Sequence, residues 1–163
     1  MVYTKKVNRF IIALGAAATV SLAGPVYAEG EYAVLMKTLA NPFWGAMGQG
    51  VEEGAQAAGV EYFVQAVESD QAAESQLNVC NTMLQREPSV LITAAINSTN
   101  LLPCLKTAQD AGVAVIDLDG NLDPTILDAE GIKIAFRIGS DNVAAGAQGA
   151  EYMVEQLGAD ATG

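Results

Sequence analysis

A regular alternation between short apolar runs and longer helical stretches constrains the fold most. Five runs have the length of β-strands and are almost continuously apolar: Tyr32–Met36, Val60–Val67, Val90–Ala95, Val113–Leu118 and Ile132–Ile138. Strands without polar alternation are typical of a sheet that is covered on both faces. Strand, helix and strand in repeated succession predict a doubly wound α/β fold with a parallel sheet.

Three stretches with helical spacing, rich in Ala and Gln, separate the first four runs: Trp44–Ala58, Ala72–Arg86 and Asn100–Ala111. A residue that stops helices follows each of them, namely Gly59, Pro88 and Gly112. Residues Gly120–Gly131 show no such spacing and are interpreted as the longest irregular loop. Because ligands of open parallel sheets bind outside the carboxyl ends of the strands, the residues directly after each strand are the candidates for a site.

The first 28 residues have the pattern of a cleavable secretory signal peptide. A basic head, a short apolar run and two small residues before the cleavage point follow one another: Lys5, Lys6 and Arg9, then Phe10–Leu22, then Val26 and Ala28. The apolar run is shorter than the roughly 20 residues that cross a bilayer. We therefore expect cleavage after Ala28 and export to the periplasm.

The chain after residue 28 is strongly acidic. Three of the 8 Lys and Arg residues lie before that point and all 19 Asp and Glu residues lie after it, which leaves a net charge of −14. Nucleic acids and anionic lipids require basic surfaces, so nucleic acid is excluded as a partner. A chain with no His and two Cys has too few ligands for a structural zinc site and no Ser-His or Cys-His pair. We expect no metal, no cofactor and no enzymatic activity.

The segment MKTLANPFWG, at the end of the first apolar run, combines a charge, an amide and two aromatic rings. Lys37 ends the strand, and Asn41 is predicted to cap the next helix. Phe43 and Trp44 then lie in the first helical turn and point about 100° apart. Both rings cannot pack against one core face, so at least one is expected to overhang the crevice. The alternative is that one ring is core and the other covers an edge.

Asp119 follows the fourth strand and brings a carboxylate to the same crevice as Lys37, and Asp117 lies two residues earlier on the same face of the strand. Ionised side chains make the stronger hydrogen bonds to hydroxyl groups, and an aromatic face can cover the C–H patch of a pyranose. This set of side chains favours a sugar. The alternatives stay open here: Asp119 as a turn residue before Gly120, Asp117 as a carboxylate that satisfies a loop, and Lys37 as a solvated side chain.

Four segments of the chain resemble the periplasmic sugar-binding proteins of ABC transporters, in the ribose/galactose/allose cluster: VLMKTLANPFWGAMGQGVEEGAQAAGV, VLITAAINSTNLL, AGVAVIDLDGNLD and RIGSDNVAAGAQGAEYMVEQLG. The K-T-x-x-N-P-F-W block is the most specific part. The resemblance implies a periplasmic-binding-protein type I fold, a monosaccharide ligand, an ABC permease as partner and, less directly, a chemoreceptor. By matching positions it implies that the paired aromatics wall a sugar slot, with contacts from Lys37, Asn41, Phe43, Trp44 and Asp119.

The same resemblance implies a division of the chain, because family members have two α/β lobes joined by three crossings. Residues 29–139 then form the sugar-binding lobe without its returning segment, and residues 140–163 form the first crossing and the first helix of a second lobe. An apolar stripe on that helix has no later strand to cover it: Ala144, Ala147, Ala150 and Met153. We therefore expect an N-terminal fragment that binds sugar weakly by itself.

Cys80 and Cys104 are predicted to form a disulfide. Cys80 lies midway along the second helical stretch, and Cys104 lies near the start of the third at a similar height. Right-handed crossovers place these two helices side by side on one face of the sheet. Export to an oxidising compartment permits the bond. The alternative is two separately buried thiols.

The leading functional hypothesis is a non-enzymatic solute-binding protein that delivers a monosaccharide to an ABC permease. An exported sugar sensor for a chemoreceptor or a kinase is the first alternative. The effector-binding core of a sugar-responsive repressor shares the fold, but such a protein carries a helix-turn-helix where this chain carries an export signal.

Overall fold

Strands and helices alternate throughout residues 30–158, the part of the chain that the computed structural model describes. The elements are β1 (Tyr32–Leu35), α1 (Pro42–Ala58), β2 (Tyr62–Gln65), α2 (Ala73–Leu84), β3 (Val90–Thr93), α3 (Leu102–Asp110), β4 (Ala114–Leu118), α4 (Pro124–Glu130), β5 (Phe136–Ile138) and α5 (Asn142–Leu157). The predicted signal peptide lies outside the described residues.

The five strands form one parallel sheet in the order β2-β1-β3-β4-β5. This confirms the predicted parallel α/β architecture. From β1 the chain passes outward to β2 and then returns to β3 on the other side of β1. The strand order therefore reverses at β1 and β3, and a crevice for ligands opens where the carboxyl ends of these strands meet.

Helices cover both faces of the sheet and define two cores. On one face, Trp44 of α1 packs with apolar residues from three strand ends: Val34, Met36, Ala94 and Leu118. On the other face, α2, α3 and α4 pack their buried residues against the sheet, among them Met83, Leu105 and Leu127. Because both faces of the sheet are buried, successive strand residues face one core or the other, and the strands are apolar at nearly every position and not only at alternate ones.

Helix α4 was not predicted, since residues Gly120–Gly131 were interpreted as irregular. Asp123 begins the helix by accepting a hydrogen bond from the Thr125 amide at 2.8 Å, and Pro124 occupies its first position. Gly131 ends it in the left-handed conformation, with φ 67°. A helix of seven residues is too short to show an apolar period, and only the buried Leu127 anchors it.

The strands are shorter than the apolar runs that predicted them, and β5 shows the reason. The predicted strand began at Ile132, but the Ile132 amide donates to the Leu127 carbonyl at 2.9 Å and closes the end of α4. Ile132 is buried in the same core as Leu127. Its apolar character therefore belongs to the helix end, and the strand begins only at Phe136.

Helix α5 places no buried residue in either core. Its large apolar side chains are exposed, as are Phe136 and Ile138 of β5. The predicted division into residues 29–139 and 140–163 stays a prediction. Within residues 30–158, no helix has both the length and the apolar character needed to cross a membrane.

Candidate sugar site at the carboxyl edge of the sheet

Strands β1 and β4 deliver a lysine and an aspartate to the same edge of the sheet. Lys37 Nζ lies 3.0 Å from Asp119 Oδ2, so the ammonium donates a hydrogen bond across the end of β3, which lies between the two strands. The Lys37 side chain is 9% exposed and the Asp119 side chain 25% exposed. Because both side chains are largely buried, their opposite charges attract more strongly than they would in bulk water. Lys37 is therefore not the solvated side chain of the alternative interpretation.

Asp119 combines the two roles that the sequence left open. Its backbone has φ 65°, and Gly120 follows with the same φ, so Asp119 is a turn residue in the left-handed conformation. Its carboxylate nevertheless faces Lys37 in the crevice. The Asp119 amide donates to the Ile138 carbonyl at 2.8 Å and fixes the turn against the end of β5. The left-handed conformation costs a non-glycine residue about 1–2 kcal/mol, which this bond helps to offset.

The helix cap that orients the aromatic pair is present as predicted. Asn41 Oδ1 accepts a hydrogen bond from the Phe43 amide at 3.0 Å, and α1 begins at Pro42. The rings of Phe43 and Trp44 meet edge to face, with centroids 4.8 Å apart and an interplanar angle of 86°. Phe43 is 49% exposed and Trp44 is buried in a core, so the two rings do not pack against the same face, and a position of Phe43 over the crevice stays a prediction.

Trp44 is more enclosed than a wall of an open slot. Only 4% of this residue is exposed, and the Lys37 ammonium lies 4.7 Å from the centroid of its ring. The indole is buried because it belongs to the same core cluster as Met36, which follows β1, and Leu118, the last residue of β4. Trp44 thus supports Lys37 through a cation–π contact, and Phe43 is the ring that is exposed to solvent.

A second acidic residue, Asp117, lies in β4 two residues before Asp119. One interpretation of the sequence was that its carboxylate accepts hydrogen bonds from a loop, and the structure shows no such bonds among the described residues. Asp117 is 0% exposed, and neither of its carboxylate oxygens has a hydrogen-bond partner among the described residues. Arg137 Nε lies 3.5 Å from Asp117 Oδ2, because these residues face each other in the register of β4 and β5. Burial raises the pKa of Asp117 to about 6, against the lowering effect of Arg137.

Arg137 was missed by sequence reasoning. The signal that could have found it is the parallel register of two adjacent strands that carry opposite charges near their carboxyl ends. Recognising it required the start of β5, which the sequence placed four residues too early.

The arrangement suits a small molecule with several hydroxyl groups. A lysine ammonium has three donors, and Asp119 uses one of them, while a carboxylate has about four acceptor positions. A hydroxyl group both donates and accepts, so one that lies between the two side chains can bond to each. The exposed Phe43 ring, which packs edge to face on Trp44, offers an apolar surface to C–H groups.

The predicted disulfide partners meet on the opposite face of the sheet. Cys80 of α2 and Cys104 of α3 are both fully buried in one core, with their sulfur atoms 2.03 Å apart. The two helices lie side by side on one face, as the handedness of the crossovers predicted.

Comparison with known proteins identifies the family. Residues 32–163 match the family described as the periplasmic binding protein domain. The chain belongs to this family. Its parallel sheet and helices agree with the type I fold of periplasmic binding proteins.

Individual relatives of this periplasmic binding protein domain point to sugars. The chain is 33% identical over 139 residues to the D-allose-binding periplasmic protein of Escherichia coli (strain K12), covering 85% of this chain and 45% of the relative. It is 30% identical over 127 residues to the D-ribose/D-allose-binding protein of Pseudomonas aeruginosa, covering 77% of this chain and 40% of the relative.

A solved structure agrees with these relatives. The chain superposes with a TM-score of 0.74, at 31% identity, on an ABC transporter periplasmic solute binding protein from Actinobacillus succinogenes 130z with bound D-allose, covering 80% of this chain and 45% of that one. The chain thus spans less than half the length of the curated relatives described above.

Proposed function

We propose that this chain is the sugar-binding part of a periplasmic solute-binding protein that takes up a monosaccharide of the allose or ribose type for an ABC permease. The single observation that carries the proposal is the Lys37–Asp119 pair at the carboxyl edge of the sheet, with the Trp44 ring 4.7 Å from the ammonium and the exposed Phe43 ring edge to face against Trp44. Export to the periplasm and a binding role without catalysis belong to the same proposal, supported by the family and the names of the relatives.

The proposed site residues have distinct roles. Asp119 accepts from sugar hydroxyls, and Lys37 donates to the same or neighbouring hydroxyls. Phe43 packs on the C–H side of the sugar, while Trp44 holds the ammonium of Lys37 in place from beneath. Asn41 Oδ1 is occupied by the helix cap, so its amide nitrogen is the group that it offers to a hydroxyl.

Ligand-observed NMR tests this assignment, because saturation transfer detects sugars that exchange quickly from a weak site. We expect transfer from residues 29–163 to D-allose or D-ribose. Replacing Lys37→Met removes the ammonium and keeps the apolar stem. Charge-assisted hydrogen bonds contribute about 1.5–3 kcal/mol each, so binding should weaken by roughly tenfold to a hundredfold.

The matched control is Lys106→Met, which removes an exposed lysine of α3 from the other face of the sheet. Its saturation transfer should equal that of the unmodified chain. Absence of transfer to both sugars, or equal transfer in the Lys37 and Lys106 variants, would overturn the proposed site.

A further inference from the structure

Gln76, in the first turns of α2, is a fully buried polar side chain whose hydrogen bonds all reach the strand ends and loop beside the proposed site. Its Nε2 donates to the Ala94 carbonyl at 2.8 Å and to the Met36 carbonyl at 3.4 Å. Its Oε1 accepts from the Ile96 amide at 3.0 Å and from Asn100 Nδ2 at 2.8 Å. Both donors and both acceptor positions of the amide are therefore used.

These four bonds join the two strands between which the crevice opens. Met36 directly follows β1 and precedes Lys37, whereas Ala94 directly follows β3 and Ile96 lies in the loop to α3. Because buried backbone groups require partners, the Gln76 amide replaces hydrogen bonds that the sheet no longer supplies beyond its last residues.

We propose that Gln76 is a positioning residue for the sugar site. It holds the backbone at Met36 and the loop after β3 at the separation at which the Lys37 ammonium reaches both Asp119 and the ring of Trp44. The effect on sugar rests on the proposed function, but the effect on the position of Lys37 does not.

Substitution by glutamate distinguishes this role from simple space filling. An ionised Gln76→Glu side chain turns a carboxylate oxygen toward the carbonyls of Met36 and Ala94, which repel it. Once protonated, the same side chain has the shape of glutamine, donates to one of these carbonyls and still accepts from Ile96 and Asn100. Gln76→Leu matches the buried volume and makes none of these bonds at any pH.

Trp44 provides the readout, since it is the only tryptophan of the chain and lies 4.7 Å from the Lys37 ammonium. Its emission spectrum therefore reports the position of that charge, and the Lys37→Met variant supplies the spectrum expected when the charge is absent. We expect Q76E to shift toward the K37M spectrum at pH 8 and to return to the unmodified spectrum near pH 5. Q76L should stay shifted at both pH values.

The unmodified chain, measured over the same pH range, corrects for titration of the neighbouring Asp117. Circular dichroism establishes that each variant is folded. Where Q76E is unfolded at pH 8, Asn100→Ala carries the test, because it removes a partner of Gln76 Oε1 without burying a charge. It should give a smaller shift in the direction of K37M.

A folded Q76E or N100A variant with unchanged Trp44 emission would refute the positioning role. Saturation transfer to D-allose forms the second arm: in Q76E it should fall about tenfold at pH 8 and recover near pH 5. If the unmodified chain shows no transfer, the sugar assignment fails, whereas the emission of Trp44 still decides the role of Gln76.

Discussion

Asp117 shows how a single buried charge couples this domain to pH. The side chain is fully enclosed next to Arg137, yet the 3.5 Å separation and the lack of hydrogen bonds among the described residues leave the carboxylate poorly compensated. Burial without compensation favours the protonated form. The pKa of Asp117 in the folded state is therefore raised from 3.8 to about 6.

This shift predicts the sign of a stability change. Between pH 4 and pH 6 the folded chain binds more protons at Asp117 than the unfolded chain does, so the contribution of this group to stability falls as pH rises. A shift of about two pKa units corresponds to at most about 3 kcal/mol at about 1.4 kcal/mol per unit. Urea unfolding of the unmodified chain and of Asp117→Asn should show D117N gaining relative stability from pH 4 to pH 7. A difference in the free energy of unfolding between the two proteins that stays constant from pH 4 to pH 7 would contradict this prediction.

The two aromatic residues should differ sharply in what they stabilise. Trp44→Ala empties a buried site that Met36 and Leu118 line, and such truncations cost about 3–5 kcal/mol. Phe43→Ala removes a half-exposed ring and should change stability by only about 0.5 kcal/mol, while it weakens binding of D-allose. Unfolding followed by circular dichroism, together with saturation transfer, measures both effects. Equal destabilisation by the two substitutions would contradict this division of roles.

At this scale the sequence predicted which residues meet but not how deeply they are buried. Lys37 and Asp119 were assigned to one crevice because the carboxyl ends of parallel strands share one edge of the sheet. The enclosure of Trp44 depends on Leu118, which is 74 positions away in the chain, and no local pattern records that contact.

Among the elements, the helices with strong end signals were the predictable ones. Asn41 and Gly59 mark the two ends of α1 as expected, since a capping side chain and a left-handed glycine act locally. The sequence pattern did not predict α4 because its two turns carry only one buried residue. The Asp123-Pro124 pair at its start is nevertheless a recognisable signal for the beginning of a helix.

The contact between α2 and α3 leads to a prediction about the covalent structure. A bond between Cys80 and Cys104 closes a loop over a separation of 24 residues, for which loop-closure entropy gives about 3 kcal/mol of stabilisation. Protein purified after export to the periplasm of an expression host should resist alkylation in denaturant until a reductant is added, as judged by mass. The Cys80→Ser/Cys104→Ser double variant should unfold at lower urea concentration. Alkylation of both thiols without reductant would show two free cysteines instead.

For the whole molecule, the apolar surface of α5 is the feature with the largest predicted effect on solution behaviour. Tyr152, Met153 and Leu157 are each more than half exposed. Exposed apolar side chains of this kind promote association and bind hydrophobic dyes. Met153→Lys with Leu157→Lys should lower dye fluorescence and concentration-dependent association measured by light scattering. The midpoint of urea unfolding should stay unchanged, because α5 contributes no buried residue. A large loss of stability would show that α5 packs on the sheet.

The architecture as a whole followed from the alternation of apolar and helical stretches, including the faces on which the helices lie. The place of α5 did not follow from the residues alone, since its stripe of alanines and Met153 predicts a buried face that the described residues do not cover. A periodic pattern indicates that a surface is suited to burial, but it does not record which element covers that surface.

The hydrogen bond from the Asp119 amide to the Ile138 carbonyl has a mechanical consequence. Ile138 is the last residue of β5, and the chain passes from it through only three residues into α5. A rotation of α5 about that short connection would strain the peptide group that carries the Asp119 carboxylate. For the proposed sugar site, we therefore expect ligand occupancy and the orientation of α5 to be coupled through this one main-chain contact.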